Sequence, residues 1–339
     1  MKRKAIYIAA AILLFSASAA VFTVWHIMYR NNTIKESVIY INEKSSPDEF
    51  FQIAEASGSV KNLTTLRYTS KIEKLSVAEP GRYIIKPGMG NREIVRMVKY
   101  GWQTPVKLTI SGNIRTKERL AGILSRNIRP DSLSILNMLN NDSLAESLGF
   151  NKATFIGMFI PNTYEVFWTI TSEDIARRFK REFDSFWSGE RVEKAKKIGL
   201  SPLQVITLAS IVTEESNVRE EYPVIAGVYL NRIKKGMPLQ ADPTVKYAVG
   251  DFSLKRVLHK HLESNSPYNT YKHPGLPPGP ITIPSAEVID GVLNRAKHNY
   301  LYFCAKATLD GTHAFSETLA QHNRYAKAYQ AALNRLKIR

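Results

Sequence analysis

Cysteine is almost missing from this chain: one residue, Cys304, among 339. A single thiol excludes an intrachain disulfide and any cysteine-based metal cluster. Acidic residues are scarce as well, 30 against 47 lysines and arginines, which leaves a formal charge of +17. Such a balance favours an anionic partner. Nucleic acid is not expected to be that partner, because the basic residues are scattered, with only short clusters such as Arg177-Arg178 and Lys194 to Lys197 that suit solvated helix faces. Internal repeats and low-complexity linkers are lacking. His259 and His261 have no convincing third ligand nearby, so neither a metal nor another cofactor is expected.

Long hydrophobic runs are absent too, with one exception. Lys2, Arg3 and Lys4 precede an uncharged stretch from Ala5 to Tyr29, long enough at about 1.5 Å per residue to cross a bilayer core of about 30 Å. Trp25 and Tyr29 stand where an interfacial aromatic belt would be. The small residues from Ser16 to Ala20 could serve a signal peptidase, but apolar residues continue past them through Val21, Phe22, Val24 and Trp25. The expectation is therefore a single-pass anchor in the cell membrane, the inner membrane where there are two. The basic flank places its N-terminus in the cytoplasm and the body of the chain outside, periplasmic or extracytoplasmic, although Arg30 and Lys35 weaken the asymmetry.

In the remainder, Ser201 to Asn217 carries the most chemical information. Ser201 can cap a helix, Pro202 fits its first turn, and Gln204 stands at capping-box distance. Val205, Leu208, Ala209 and Val212 then recur at helical spacing, and Glu215 continues their face, whereas Glu214 points elsewhere. A carboxyl on an apolar stripe loses solvation, which raises its pKa toward the range of a general acid. A helix face that merely reaches solvent at Glu215 is the alternative, and the helix by itself does not decide between them.

Around this helix the pattern is α+β, in three segments: residues 1–30 as cytoplasmic tip and anchor, 31–104 as a small module, and 105–339 as a mixed catalytic domain. Strands are expected at Val38 to Ile41 and Arg82 to Ile85, with helices from Ser46 to beyond Ile53, Asn62 to Lys74 and Asn91 to Tyr100. This strand, helix, helix, strand order is analogous to the LysM-type glycan-binding fold; a plain spacer module is the competing reading. The second domain opens with the strand Val106 to Ile110. Its helices are expected at Thr116 to Ser125, Ser132 to Asn140, near Leu144, Ser172 to Trp187 and Tyr222 to Lys234. Met237 to Tyr247, Ser266 to Tyr271 and Gly275 to Ile281 read as proline-stiffened loops rich in Tyr, Asn, Thr and Gln, a composition suited to stacking on pyranose rings and pairing with sugar hydroxyls. The run Tyr300 to Ala305 reads as a strand with Cys304 as a buried structural thiol, and a last amphipathic helix carries His322, Asn323 and Tyr325.

Six strings occur together in one order: Leu208 to Ser216, Val228-Tyr229-Leu230-Asn231-Arg232, Leu239-Gln240-Ala241-Asp242-Pro243-Thr244, Tyr268-Asn269-Thr270-Tyr271, Gly275 to Ile281, and His322-Asn323. Together they resemble the endolytic murein transglycosylases of the MltG (YceG-like) family, best over about residues 106 to 335. The resemblance implies cleavage of the β-1,4 bond between N-acetylmuramic acid and N-acetylglucosamine inside peptidoglycan glycan strands, giving 1,6-anhydromuramyl ends, with Glu215 as acid and then base. It further implies positioning or supporting roles for Asn231, Gln240, Asp242, Thr244, Tyr247, Tyr268, Asn269, Thr270, Tyr271, His322 and Asn323. Asp242 is equally readable as a turn cap before Pro243, and His322 and Asn323 as ties of the last helix. Several family members carry an acid where this chain has Thr213, and Asn162 replaces an Asp in the element Ile160 to Tyr164, which argues against an essential carboxylate there. Peptidoglycan synthases are an inherited expectation as partners. Two other readings stand: a glycan hydrolase using Asp242 as second carboxylate, and a membrane-anchored wall-binding scaffold without turnover.

Overall fold

A computed structural model of the chain describes residues 2–254 and 256–336; Met1 and residues 337–339, which the expected segments include, lie outside the described residues. The elements in order are α1 (Lys2–Tyr29), β1 (Ser37–Ile41), α2 (Pro47–Ala56), α3 (Leu63–Ile72), β2 (Gly81–Ile85), α4 (Asn91–Lys99), β3 (Val106–Thr109), α5 (Lys117–Leu124), α6 (Ser132–Leu139), α7 (Asp142–Ser147), β4 (Thr163–Val166), α8 (Ser172–Phe186), α9 (Glu190–Lys197), α10 (Pro202–Glu215), α11 (Tyr222–Lys234), α12 (Asp242–Val249), α13 (His259–Leu262), α14 (Ala286–Leu293), β5 (Tyr302–Ala305), β6 (His313–Ser316) and α15 (Leu319–Arg335). The chain is α+β, and among the described residues its strands form three two-stranded sheets, β1-β2, β3-β4 and β5-β6.

Two compact units account for the chain. The first runs through Leu108 and takes up the returning segments Asn127–Pro130 and Tyr164–Thr171. In it, β1 and β2 pair antiparallel with Ile39 opposite Tyr83. Alternation puts Ile39, Ile41, Tyr83 and Ile85 into a core shared with Phe50, Leu66, Ile94 and Val98. The apolar helix α1 is long and hydrophobic enough to cross a membrane, and its C-terminal end is fastened to this unit. The Asn91 amide donates to Ile27 O at 2.8 Å, and Met28 is buried. Gly90, just before α4, lies so close that an added Cβ would stand 2.9 Å from Tyr29 O.

The second unit comprises Thr109–Arg126, Asp131–Thr163 and the chain from Ser172 onward. Its centre is α10. Ser201 Oγ accepts from Gln204 N while Gln204 Oε1 accepts from Ser201 N, and Pro202 starts the helix, so the expected capping box is present. Every residue from Val205 to Val212 is buried, which makes α10 a central helix covered on all sides and not the one-faced helix its spacing suggested. The polar residues in that stretch bond within the helix: Thr207 Oγ1 donates to Leu203 O and Ser210 Oγ to Thr207 O. Ser210 Oγ also accepts from Ile281 N at 3.0 Å, which fixes the proline-rich loop against α10.

Three readings of local structure are corrected. Met237 to Tyr247 is not loop throughout, because α12 starts at Asp242; Pro243 supplies a favourable φ in its first turn. Asp242 does not act as a side-chain cap, the cap position being Ala241. Cys304 is half-buried in β5 and not sealed into the core, because one face of the β5-β6 hairpin borders a cavity.

Candidate active site

Glu215 is the last residue of α10; Ser216, the C-cap, turns the backbone to an extended conformation with φ −146 and ψ 147. The Glu215 side chain therefore emerges from the buried end of the central helix into a cavity of about 400 Å³. Glu215, Tyr229, Arg232, Gln240, Asp242, Tyr271, Tyr302, Cys304, His313 and His322 contribute the polar and reactive groups of its wall. Tyr229, buried on α11, donates its hydroxyl to Glu215 Oε1 at 2.6 Å.

Desolvation pushes the Glu215 carboxyl up to about 7. The Tyr229 hydrogen bond opposes that rise, the neighbouring Asp242 charge adds to it, Lys246 opposes it and Glu214 adds slightly. The negative end of the α10 dipole, where Glu215 sits, also disfavours the anion. Close to neutral pH this carboxyl can hold a proton and release it.

Glu214 is engaged differently. Arg115 grips it with two hydrogen bonds, Nε at 2.9 Å and Nη2 at 2.6 Å, while the guanidinium lies over the Phe252 ring. A fork of this kind fixes the position of the carboxyl group. Thr213 turns back on its own helix, its Oγ1 donating to Ala209 O, and the exposed Asn162 accepts from Thr163 N.

Among the other residues singled out in the sequence, Gln240, Asp242, Tyr271 and His322 line the cavity with Glu215. Asp242 Oδ1 accepts from the Tyr271 hydroxyl at 2.6 Å. Gln240 adopts a left-handed backbone, φ 52, which is rare for a residue with a Cβ. Thr244 and Thr270 form a buried pair beneath, bonding each other at 2.8 Å and receiving Ala241 N. Asn269 donates to the Leu262 and Ser264 carbonyls and braces its own loop. Tyr247 and Tyr268 pack ring against ring at 4.6 Å, with Tyr247 in a small depression beside Arg115 and Glu214. Asn231 donates to His298 O and Tyr300 O, fastening the approach to β5. Asn323 is exposed on α15 and is not among the cavity residues.

The residue families above recur in known proteins. The family model described as "YceG-like family" matches residues 39–328. The chain belongs to the YceG-like family. An endolytic murein transglycosylase of Bacillus subtilis is 31% identical over 312 residues, covering 87% of this chain and 85% of the relative. One of Streptococcus pneumoniae is 25% identical over 323 residues; this chain covers 58% of that longer protein. The crystal structure of a yceG-like protein from Listeria monocytogenes superposes with a TM-score of 0.55 at 28% identity, covering 86% of this chain and 99% of that one.

Sequence reading overlooked four residues that this YceG-like chain places around Glu215. Tyr229 and Arg232 lie one helical turn apart in the string Val228 to Arg232, where they pass for helix-packing residues. Arg232 is buried and donates to the Leu301 and Leu239 carbonyls at 2.7 and 2.6 Å. His313, on β6, borders the cavity with its ring tied to Glu221 of the turn between α10 and α11. Glu221 shows no periodicity or spacing that sets it apart from Glu220, and no local signal could have marked it.

Proposed function

We propose that this chain is an endolytic murein transglycosylase, a membrane-anchored lyase that cuts the MurNAc-β-1,4-GlcNAc bond within nascent peptidoglycan strands and so ends their elongation. The name shared by its relatives supports the reaction class. The residue assignment rests on one observation: a desolvated carboxyl, bonded to Tyr229, at the end of a buried helix and open to a cavity of sugar-sized dimensions. Protonated Glu215 donates to the glycosidic oxygen. The resulting carboxylate then accepts the proton of the muramyl C6 hydroxyl as that oxygen attacks C1, which closes a 1,6-anhydro ring. Ordinary glycosidases need two carboxyl groups because their nucleophile is water or a second carboxylate; an internal hydroxyl removes that need.

In this reading Gln240, Tyr271 and His322 contact the glycan, Asp242 orients Tyr271, and Thr244, Thr270, Asn269, Asn231, Tyr247 and Tyr268 hold the walls in place. Asn323 is assigned to the surface of α15. The presence of Asp242 beside Glu215 favours one second reading, a muramidase that activates water and leaves reducing ends. For the first unit, the order β1, α2, α3, β2 supports a LysM-like, glycan-binding module spanning residues 31–104, ahead of a catalytic domain at 105–339 and behind an anchor at 1–30. The basic flank of α1 supports a cytoplasmic N-terminus with both later segments outside the membrane, where synthases of the glycan would be partners.

Mass spectrometry of the sugar ends released from uncrosslinked glycan by the detergent-solubilised full chain tests the assignment, with Glu215→Gln and Glu214→Gln alongside. Anhydromuramyl ends that vanish with Glu215→Gln and persist with Glu214→Gln are the expected outcome. Reducing ends would replace this reading with the muramidase. A folded wild type that binds glycan without cutting it would leave only a scaffold.

A further inference from the structure

A second cavity, of about 830 Å³, lies beside the catalytic one in the second unit, and the reaction above makes no use of it. Its volume is in the range of ligand clefts. Tyr300 and Phe315, stacked at 5.9 Å, line it together with the hairpin tip from Lys306 to Thr312, with Tyr325 and Ala328 of α15, and with the turn between α10 and α11. The tip is held by its own bonds: Asp310 Oδ1 accepts from Thr312 N at 2.9 Å, Asp310 Oδ2 accepts from Thr308 Oγ1 at 2.9 Å, and Lys306 N donates to Thr312 O at 2.9 Å. Ala305 and His313 border both cavities. Glu221 fixes that partition by accepting from His313 N at 2.6 Å and from Ser216 Oγ at 2.9 Å. Along α15, Leu319 and His322 face the catalytic cavity and Tyr325 and Ala328 the second one, successive members of one i, i+3 ridge. At about 1.5 Å per residue, Ala328 stands about 9 Å beyond His322 along the helix.

The two linings differ in chemistry. The catalytic cavity offers Arg232, Gln240, Asp242 and His322, which pair with sugar hydroxyls. The second offers the methyl groups of Ala305, Ala307, Ala314 and Ala328 and three aromatic rings, and no Asn or Gln is among its described lining residues. It also carries Lys306 and Glu220, charges of opposite sign that have no ion-pair partner among the described residues. Such a lining fits a short peptide with small apolar side chains and both signs of charge better than a further sugar ring. A muramyl residue bears a group of that kind. Its stem peptide, rich in alanine and carrying carboxylates and the amine of a dibasic residue, hangs from the lactyl oxygen on C3. C3 lies across the pyranose ring from the oxygen that joins C1 to C5, so a ring presenting C1 and C6 to Glu215 sends its C3 substituent away from that carboxyl. Three extended residues at about 3.3 Å each span an offset of about 9 Å. We propose that the second cavity receives the stem peptide of the muramyl residue under attack, with Lys306 pairing a peptide carboxylate, Glu220 the peptide amine, and Tyr300, Phe315 and Tyr325 the alanine methyls; the inference rests on the transglycosylase reading. Seating the peptide orients the muramyl ring over Glu215, which makes peptide-bearing strands the better substrate.

The test compares anhydromuramyl release by the full chain in detergent from two substrates: uncrosslinked strands that keep their stem peptides, and the same strands stripped of them by an amidase. The wild type should show a kcat/KM at least about tenfold higher on the peptide-bearing strands. Two variants at exposed positions probe the cavity, each with its melting temperature measured: Ala328→Trp fills it from α15, and Lys306→Glu repels the peptide carboxylate. Each should bring the ratio of the two kcat/KM values to within about twofold of one, through loss on the peptide-bearing strands. A wild-type ratio at or below one overturns the proposal. So do variants that lose the same factor on both substrates, which would make the cavity a further sugar subsite, and variants that keep the wild-type ratio and rates. Reducing ends, or no cleavage of either substrate by the wild type, would instead overturn the transglycosylase reading, and the peptide site with it.

Discussion

Glu215 links stability to pH in a direction that can be worked out. Its folded pKa, about 7, lies above its unfolded value, so between the two the folded state holds the extra proton and stability falls as pH rises. The penalty at pH 8 amounts to at most about 3 kcal/mol. Glu215→Gln keeps an acceptor for Tyr229 but carries no charge. Thermal melts should therefore find the variant more stable than wild type at pH 8 and equal to it near pH 5, even as turnover disappears. Gln240 offers a second test. A left-handed residue with a Cβ costs on the order of 1 kcal/mol, and Gln240 bears this cost on the cavity wall. Gln240→Gly should raise the melting temperature and lower kcat/KM for glycan, since the side chain is what the strain retains; unchanged activity would remove Gln240 from the binding surface. Glu214→Gln, by contrast, weakens the Arg115 fork and should show mainly as lost stability.

At the scale of elements, α10 is held by contacts that leave the chemistry untouched. Ser201→Ala removes one half of the capping box and should cost about 1 kcal/mol without changing the rate per folded molecule. Ser210→Ala is harsher, because Ile281 N loses its buried acceptor, a loss of about 1–3 kcal/mol. The loop carrying Ile281 is sensitive at another point: a Cβ on Gly279 would stand 2.2 Å from Ala153 O, so Gly279→Ala should prevent close packing there, as reduced expression and a lowered melting temperature would reveal. The capping box, the helix start and the proline-stiffened loops were legible in the sequence, since each depends on neighbours a few residues away. Burial of α10 on all sides was not. The spacing of Val205, Leu208, Ala209 and Val212 marks one apolar face, and only the packing of α14, α11, α12 and α9 around the helix covers the others.

At the largest scale, the apolar helix α1 is tied into the first unit's structure at its C-terminal end. Asn91 bonds both Ile27 O and Asn32 Nδ2, and Asn32 bonds Asn62 at 2.9 Å through both its amide and its carbonyl. A chain starting at residue 31 should thus lose part of the stability of residues 31–108, visible as faster amide exchange in α4, while glycan cleavage by the second unit continues. The full chain should resist alkaline extraction from membranes. Local sequence determined the apolar α1, the capped start of α10 and the identity of Glu215 as its last acid, because these follow from composition, periodicity and residues within one or two turns. Tertiary structure alone decided the rest. It gave Glu214 its partner, Arg115 from 99 positions away in sequence, and desolvated Glu215 beside Tyr229. It also brought Glu221 to His313 across 92 positions. Contacts of that span depend on chain paths that no local spacing encodes, and they set the electrostatic environment in which a carboxyl becomes an acid.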